Sequence, residues 1–201
     1  MAQMGFDQYF MKIATAVRKR ANCQGRKVGA VLVVKHRIVS TGYNGVPEGM
    51  KNCEDGGCDR CAKRKPGAGY DNCICVHAEE NALLTAARFG ITVEGGLIYT
   101  TLQPCFWCMK ALHQAGIRAV YYLEEWQPKR PFVSQYRMIE ARFPGGVKPV
   151  KIRDRTNRAW INPPKREPER RRSPKKTGVT TVNMQAAAAH PRPGRVQHGG
   201  R

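Results

Sequence analysis

The chain has 201 residues, 35 Lys and Arg against 15 Asp and Glu, and a formal net charge of +20, enough length for one substantial core but not for several domains. No run approaches the roughly 18 apolar residues of a spanning helix, and the start MAQMGFDQYFMKIATAV lacks the basic segment and unbroken apolar run of a secretory leader. Eight cysteines in such a chain point to metal or catalysis in a reducing compartment rather than to disulfides, so the expectation is a soluble cytoplasmic protein with no membrane partner.

Residues 7–21 begin with Asp7 as a candidate cap and place Phe10, Ile13, Ala14 and Val17 on one stripe, which predicts a helix. VGAVLVV (28–34) and RIVSTGYNG (37–45) then read as two strands joined by a tight turn at Lys35 and His36. The β-branched run shows little alternation, as in strands buried on both faces.

A connection of about thirty residues follows, too long for an ordinary linker and poor in residues that could pack. It carries Cys53, Cys58, Cys61, Cys73 and Cys75, and Cys23 lies in the preceding loop. Cys58-x-x-Cys61 and Cys73-x-Cys75 have zinc-like spacing. Four of these six thiolates closing a tetrahedron would make a second, structural zinc site, against the alternative of unmetallated thiols; which four is left open.

HAEENALLTAARF (77–89) predicts a helix with His77 and Glu79 in its first turn. A strand near 97–100 leads to a second helix over 104–114, where Pro104 suits the first position because its missing N–H would be unpaired there anyway. Cys105 and Cys108, at i and i+3, share a face. Two helix N-termini aimed at one point favour thiolate over thiol. One imidazole and two thiolates give zinc three protein ligands and leave its fourth position for water, with Glu79 free to move protons. Either half alone is as readily a core histidine or a structural cysteine pair. Both halves, in this order and each opening a helix, make the signature of zinc nucleobase deaminases.

A strand near 118–123, a helix from about 134 to 142 and a short strand near 147–152 complete the pattern, with Gly90, Gly95, Gly96 and Gly116 at the joins. Strands alternating with helices after an opening hairpin predict an α/β fold with a mixed sheet covered on both faces. Beyond it apolar periodicity stops. Residues 151–201 hold 14 Lys and Arg against 3 acids, net +11, whereas residues 1–150 hold 21 against 12, net +9. The division is therefore a domain over 1–158 and a basic, Pro/Arg-rich disordered tail over 159–201, which is either a solvated appendage or a weak contact for nucleic acid or another polyanion.

Residues 7–155 as a whole resemble the deoxycytidylate (dCMP) deaminase family of the cytidine deaminase-like superfamily. The resemblance rests on Lys27-Val28-Gly29-Ala30-Val31 with Gly42-Tyr43-Asn44-Gly45, on Val76-His77-Ala78-Glu79-Glu80-Asn81-Ala82, and on Pro104-Cys105-x-x-Cys108 followed by Gln114-Ala115-Gly116-Ile117. It implies a three-layer α/β/α sandwich on a five-stranded mixed sheet, assembly as a homo-oligomer, commonly a hexamer, and a small nucleotide as substrate. It implies a catalytic zinc on His77, Cys105 and Cys108 that activates water, and Glu79 carrying protons to the ring N3 and to the departing amino group. By the same resemblance Asn44 touches the sugar, against the alternative of a turn asparagine, and Tyr122 lines the base pocket; Arg26, in the loop before the first strand, is a candidate for the substrate phosphate, against the alternative of plain surface charge. Cys75 stands where some relatives place a further metal ligand and Cys23 lies near a second such position, which favours these two as members of the structural site, whereas the tail has no counterpart. Two other readings share these parts. One is a polynucleotide deaminase acting on cytosine or adenine in single strands, and the other is a zinc-stabilised nucleic-acid-binding or regulatory module without catalysis; the Gly-Tyr-Asn-Gly block weighs against the first and Glu79 against the second.

Overall fold

In the computed structural model, residues 3–62, 73–128 and 131–152 are described below. Helix α1 (Phe6–Arg18) precedes a hairpin of β1 (Gly29–Val34) and β2 (Arg37–Tyr43). A 3-10 turn (Cys53–Asp55) and the short α2 (Asp59–Ala62) lie in the long connection. Then follow α3 (Ala78–Arg88), β3 (Leu97–Leu102), α4 (Phe106–Gln114), β4 (Ala119–Glu124), α5 (Val133–Glu140) and β5 (Val147–Pro149).

The strands form one sheet in the order β2-β1-β3-β4-β5. β1 runs antiparallel to both neighbours, while β3, β4 and β5 are parallel, so the sheet is mixed and five-stranded as expected. Side chains alternate across it. Ala30, Leu32, Ile98 and Val120 pack with Ala78, Ala82, Ala86, Met109, Leu112 and Tyr136 on the face covered by α3, α4 and α5. Val31, Val33 and Tyr99 pack with Phe10, Met11 and Ala14 of α1 on the other. Burial on both faces explains why β1 reads as an unbroken apolar run. No helix among the described residues is long and apolar enough to cross a membrane.

The hairpin turn holds Lys35 and His36 at φ of 48° and 62°, the left-handed pair that matches strand twist but that side chains adopt at a cost. The His36 ring stacks on Phe6 at 4.5 Å, fastening the turn to α1.

Two local expectations change. The cap of α1 is Gly5, not Asp7. Asp7 sits in the first turn, where its Oδ1 accepts the hydroxyl of the buried Tyr99 at 2.7 Å. A buried phenol needs a partner more than an exposed helix end does. Likewise α4 starts two residues later than Pro104 would set it, at Phe106 with Cys105 as N-cap. The carbonyl of Pro104 accepts the Tyr136 hydroxyl at 2.8 Å.

Gly42 decides how α3 meets the sheet. A methyl group there would run into the Ala78 carbonyl oxygen and the Ala82 backbone nitrogen, so only glycine allows this approach. The Ser40 hydroxyl donates to the Ala82 carbonyl at 2.8 Å, and the Asn81 amide donates to the Tyr43 carbonyl at 2.7 Å. Together these bonds fix where the start of α3 points.

Candidate active site

His77 and Cys105 are the N-cap residues of α3 and α4, and neither spends its side chain on capping its helix. Cys108 is the third residue of α4, and cap and third-residue side chains converge at a helix start, as they do in a capping box. This is the physical reason for the Cys-x-x-Cys spacing. His77 Nδ1 lies 3.4 Å from each of the Cys105 and Cys108 Sγ atoms, and all three donor atoms fall within 4.8 Å of one another.

Tetrahedral bonds to zinc of about 2.0–2.1 Å from nitrogen and about 2.3 Å from sulfur separate the two donors by about 3.5 Å. The residues therefore fit that ion. Their electrostatics agree. The Cys105 thiol is pulled down to about 4, first by its bond with Cys108 and then by His77, while Cys108, which keeps the shared proton, is pushed up. His77 is raised to about 9, chiefly by the Cys105 thiolate.

Glu79, in the first turn of α3, is buried. Burial raises its carboxyl above the usual range, and a hydrogen bond from Thr100 opposes the rise. The Thr100 Oγ1 lies 2.7 Å from Glu79 Oε1 and 3.1 Å from the Leu102 carbonyl oxygen. Thr100 was not singled out from the sequence. The available signal was a pair of polar residues, Thr100 and Thr101, fully buried in an otherwise apolar strand.

Ala30, Thr100 and Tyr122 stand in register across β1, β3 and β4. Tyr122 thus shares the sheet face of Thr100 one strand away. It is half-buried, and its phenol is raised by burial and by Glu125 and Glu140. Gln103, also missed from the sequence, is buried where β3 ends. Its backbone N–H donates to the Glu124 carbonyl, and its side-chain oxygen accepts the Trp126 N–H at 3.3 Å.

Asn44 is buried, and its amide is largely committed to the backbone. Its Oδ1 accepts the Val28 N–H at 2.7 Å, and its Nδ2 donates to the Arg26 carbonyl at 2.8 Å. One N–H of the amide remains beyond these bonds. The Arg26 side chain is exposed and reaches to 4.0 Å from Glu124 Oε2, a carboxylate that also takes the Arg18 guanidinium at 3.0 Å. The six remaining cysteines, Cys23, Cys53, Cys58, Cys61, Cys73 and Cys75, gather in a separate cluster before His77. Residues 63–72 of that connection and the whole tail from 159 lie outside the described residues.

Residues 4–124 match the family profile described as the cytidine and deoxycytidylate deaminase zinc-binding region. The chain is 45% identical over 118 residues to a deoxycytidylate deaminase of Schizosaccharomyces pombe, a match covering 58% of this chain and 36% of that protein. It is 39% identical over 134 residues to a deoxycytidylate deaminase of Mycobacterium phage D29, covering 62% of this chain and 99% of the phage protein. The crystal structure of the dCMP deaminase of cyanophage S-TIM5 in complex with dCMP and dUMP superposes with a TM-score of 0.57 at 27% identity, over 75% of this chain and all of that one. The chain spans about a third of the length of the fungal relative and nearly all of the phage protein.

Proposed function

The chain belongs to the cytidine and deoxycytidylate deaminase family, and from that premise we propose that it hydrolyses deoxycytidylate to deoxyuridylate and ammonia. The observation that carries this reading is the buried Glu79 carboxylate, held by Thr100 beside the donors His77, Cys105 and Cys108. A purely structural metal site has no use for such a carboxylate. The similarity to the cyanophage enzyme, whose structure contains dCMP and dUMP, supports this substrate.

His77, Cys105 and Cys108 are the residues that would hold zinc. Bound there, the ion supplies Lewis acidity that brings the pKa of water toward neutrality. Glu79 takes a proton from the attacking water and delivers it to the ring N3, then passes the second to the departing amino group. Its burial suits this exchange, because a carboxyl raised above its usual range holds the proton more readily between the two transfers. Water adds, ammonia leaves, and no other reactant is needed. Asn44, with its remaining N–H, faces the sugar and anchors the loop that carries Arg26, the candidate for the phosphate. Tyr122 lines the base pocket.

The cysteine cluster binds a structural zinc with four of its six thiolates. The deaminase domain is taken as residues 1–158, working as a homo-oligomer, by resemblance a hexamer, in the cytoplasm. Eight cysteines with no disulfide among them support a reducing compartment. The basic tail makes weak, salt-sensitive contacts with polyanions.

The deciding assay incubates the protein with dCMP, dCTP, cytidine, deoxycytidine and a cytosine-containing oligonucleotide, and follows uracil or ammonia. Preference for dCMP is expected. Turnover of the oligonucleotide alone would replace this reading by a polynucleotide deaminase, and silence with every substrate by a non-catalytic module.

A further inference from the structure

The cysteine cluster contains more order than one zinc uses. Its sulfurs form three groups, each with all members within 4.8 Å of one another: Cys23, Cys53 and Cys75; Cys53, Cys58 and Cys61; and Cys58, Cys73 and Cys75. Cys53, Cys58 and Cys75 each occur in two groups, and every pair among them shares one. They therefore make an inner triangle. Each of its edges is capped by an outer sulfur: Cys23 over Cys53 and Cys75, Cys61 over Cys53 and Cys58, Cys73 over Cys58 and Cys75. The Cys58 and Cys73 sulfurs are 3.9 Å apart, close to the roughly 3.8 Å edge of a zinc–sulfur tetrahedron with bonds of about 2.3 Å.

A mononuclear site takes four of these sulfurs and leaves two thiols with no assigned role. The arrangement does not mark out which two, since each outer sulfur stands against two inner ones. Two tetrahedra that share an edge need six sulfurs, with two of them bridging. That is the number present, and the inner triangle offers the bridges.

The surrounding chain points the same way. Between residues 47 and 61 the buried side chains are Cys53 and Cys58. Beside the six cysteines, Val46 is the partly buried hydrophobic residue that packs on the cluster. This segment has no apolar core of its own to hold it in place, and metal–thiolate bonds are what can supply that energy. Backbone donors already face the sulfurs, with the Gly25 N–H 3.3 Å from Cys23 Sγ and the Gln24 N–H 3.4 Å from Cys53 Sγ.

We propose that the six cysteines form one binuclear zinc–thiolate cluster, with two of Cys53, Cys58 and Cys75 as bridges. This rests on the reading that the connection binds a structural metal, and deepens it from one ion on four ligands to two ions on six. Two Zn²⁺ ions replace six thiol protons, which pass to solvent, leaving the cluster with a net charge of −2. Cys75 lies two residues before His77, and Gly45 and Val76 exchange backbone hydrogen bonds of 2.9 and 3.2 Å. The cluster therefore braces both the approach to His77 and the chain leaving β2.

The test uses the full chain, purified under reducing conditions without chelator. Native mass spectrometry and elemental analysis are expected to find about three zinc ions per chain, two in the cluster and one at His77. After exchange with ¹¹³Cd, the spectrum is expected to show two resonances split by each other through a shared sulfur and a third that is unsplit. Cys61→Ser and Cys73→Ser should each lower the content from about three ions to about two and abolish the splitting. About two zinc ions per chain with no splitting would overturn the binuclear cluster while leaving a single structural zinc. About one would overturn both. The cadmium spectrum is read on the native sequence, so a variant that misfolds does not decide the outcome.

Discussion

Replacing Thr100 with Val keeps a β-branched side chain of nearly the same shape and removes one hydroxyl from beside Glu79. That hydroxyl has a single proton and two neighbours, Glu79 Oε1 at 2.7 Å and the Leu102 carbonyl at 3.1 Å. When Glu79 is ionised, the proton points to the carboxylate. When Glu79 is protonated, the acid donates to Thr100 and Thr100 donates to Leu102. The hydroxyl thus serves both states, but unequally. A hydrogen bond to a charged group contributes about 1.5–3 kcal/mol and one between neutral groups about 0.5–1.5 kcal/mol, so the ionised form loses about 1–1.5 kcal/mol more. At 1.36 kcal/mol per unit, the carboxyl should rise by about one pH unit above the position burial already gives it. The proton-accepting form of Glu79 is the ionised one. The acid limb of kcat/KM for dCMP is therefore expected to move up by about one unit in Thr100→Val and to return in Thr100→Ser, with zinc content unchanged in both. A limb that stays in place or moves to lower pH would refute the role given to this hydrogen bond.

Glu79→Gln should lower turnover by about 10²–10⁴-fold while elemental analysis shows zinc retained; activity within tenfold of the native protein would remove Glu79 from proton transfer. Gly42→Ala should force α3 away from β2 and destabilise the fold by about 1–3 kcal/mol in denaturant titration, because the added methyl meets the backbone of Ala78 and Ala82; an unchanged midpoint would refute that close approach. Asn44→Ala removes a buried hydrogen bond to the backbone of Val28 and a part-buried one to that of Arg26. It is expected to cost about 1–3 kcal/mol of stability and to raise KM for dCMP more than it lowers kcat, whereas an unaltered KM would confine Asn44 to holding the loop.

Much of this protein was legible in its sequence because the relevant signals are local. Phe10, Ala14 and Val17 recur at helical spacing, and the apolar run 28–34 marks a strand with two buried faces. His77 with Glu79, and Cys105 with Cys108, are each set within one helical turn, where spacing alone dictates direction. The chemistry could be read there without the fold. Local rules also misled. Asp7 has the right identity and place for a cap, yet it serves Tyr99, 92 residues away. Pro104 suits a first helical turn, yet it precedes the cap and accepts a bond from Tyr136.

What only the tertiary structure decided are the meetings of residues that no short-range rule connects. Thr100 reaches Glu79 because β3 passes beneath α3, and glycine at 42 lets α3 come close enough. From the sequence the six outlying cysteines were candidates for four places. Folding gathers all six, from Cys23 to Cys75, into shared triangles. The identity of a side chain states what it can bind or donate, and a few neighbours state which helix or strand it joins. Which distant partner it faces follows from the order and register of the strands, and that order is a property of the whole core.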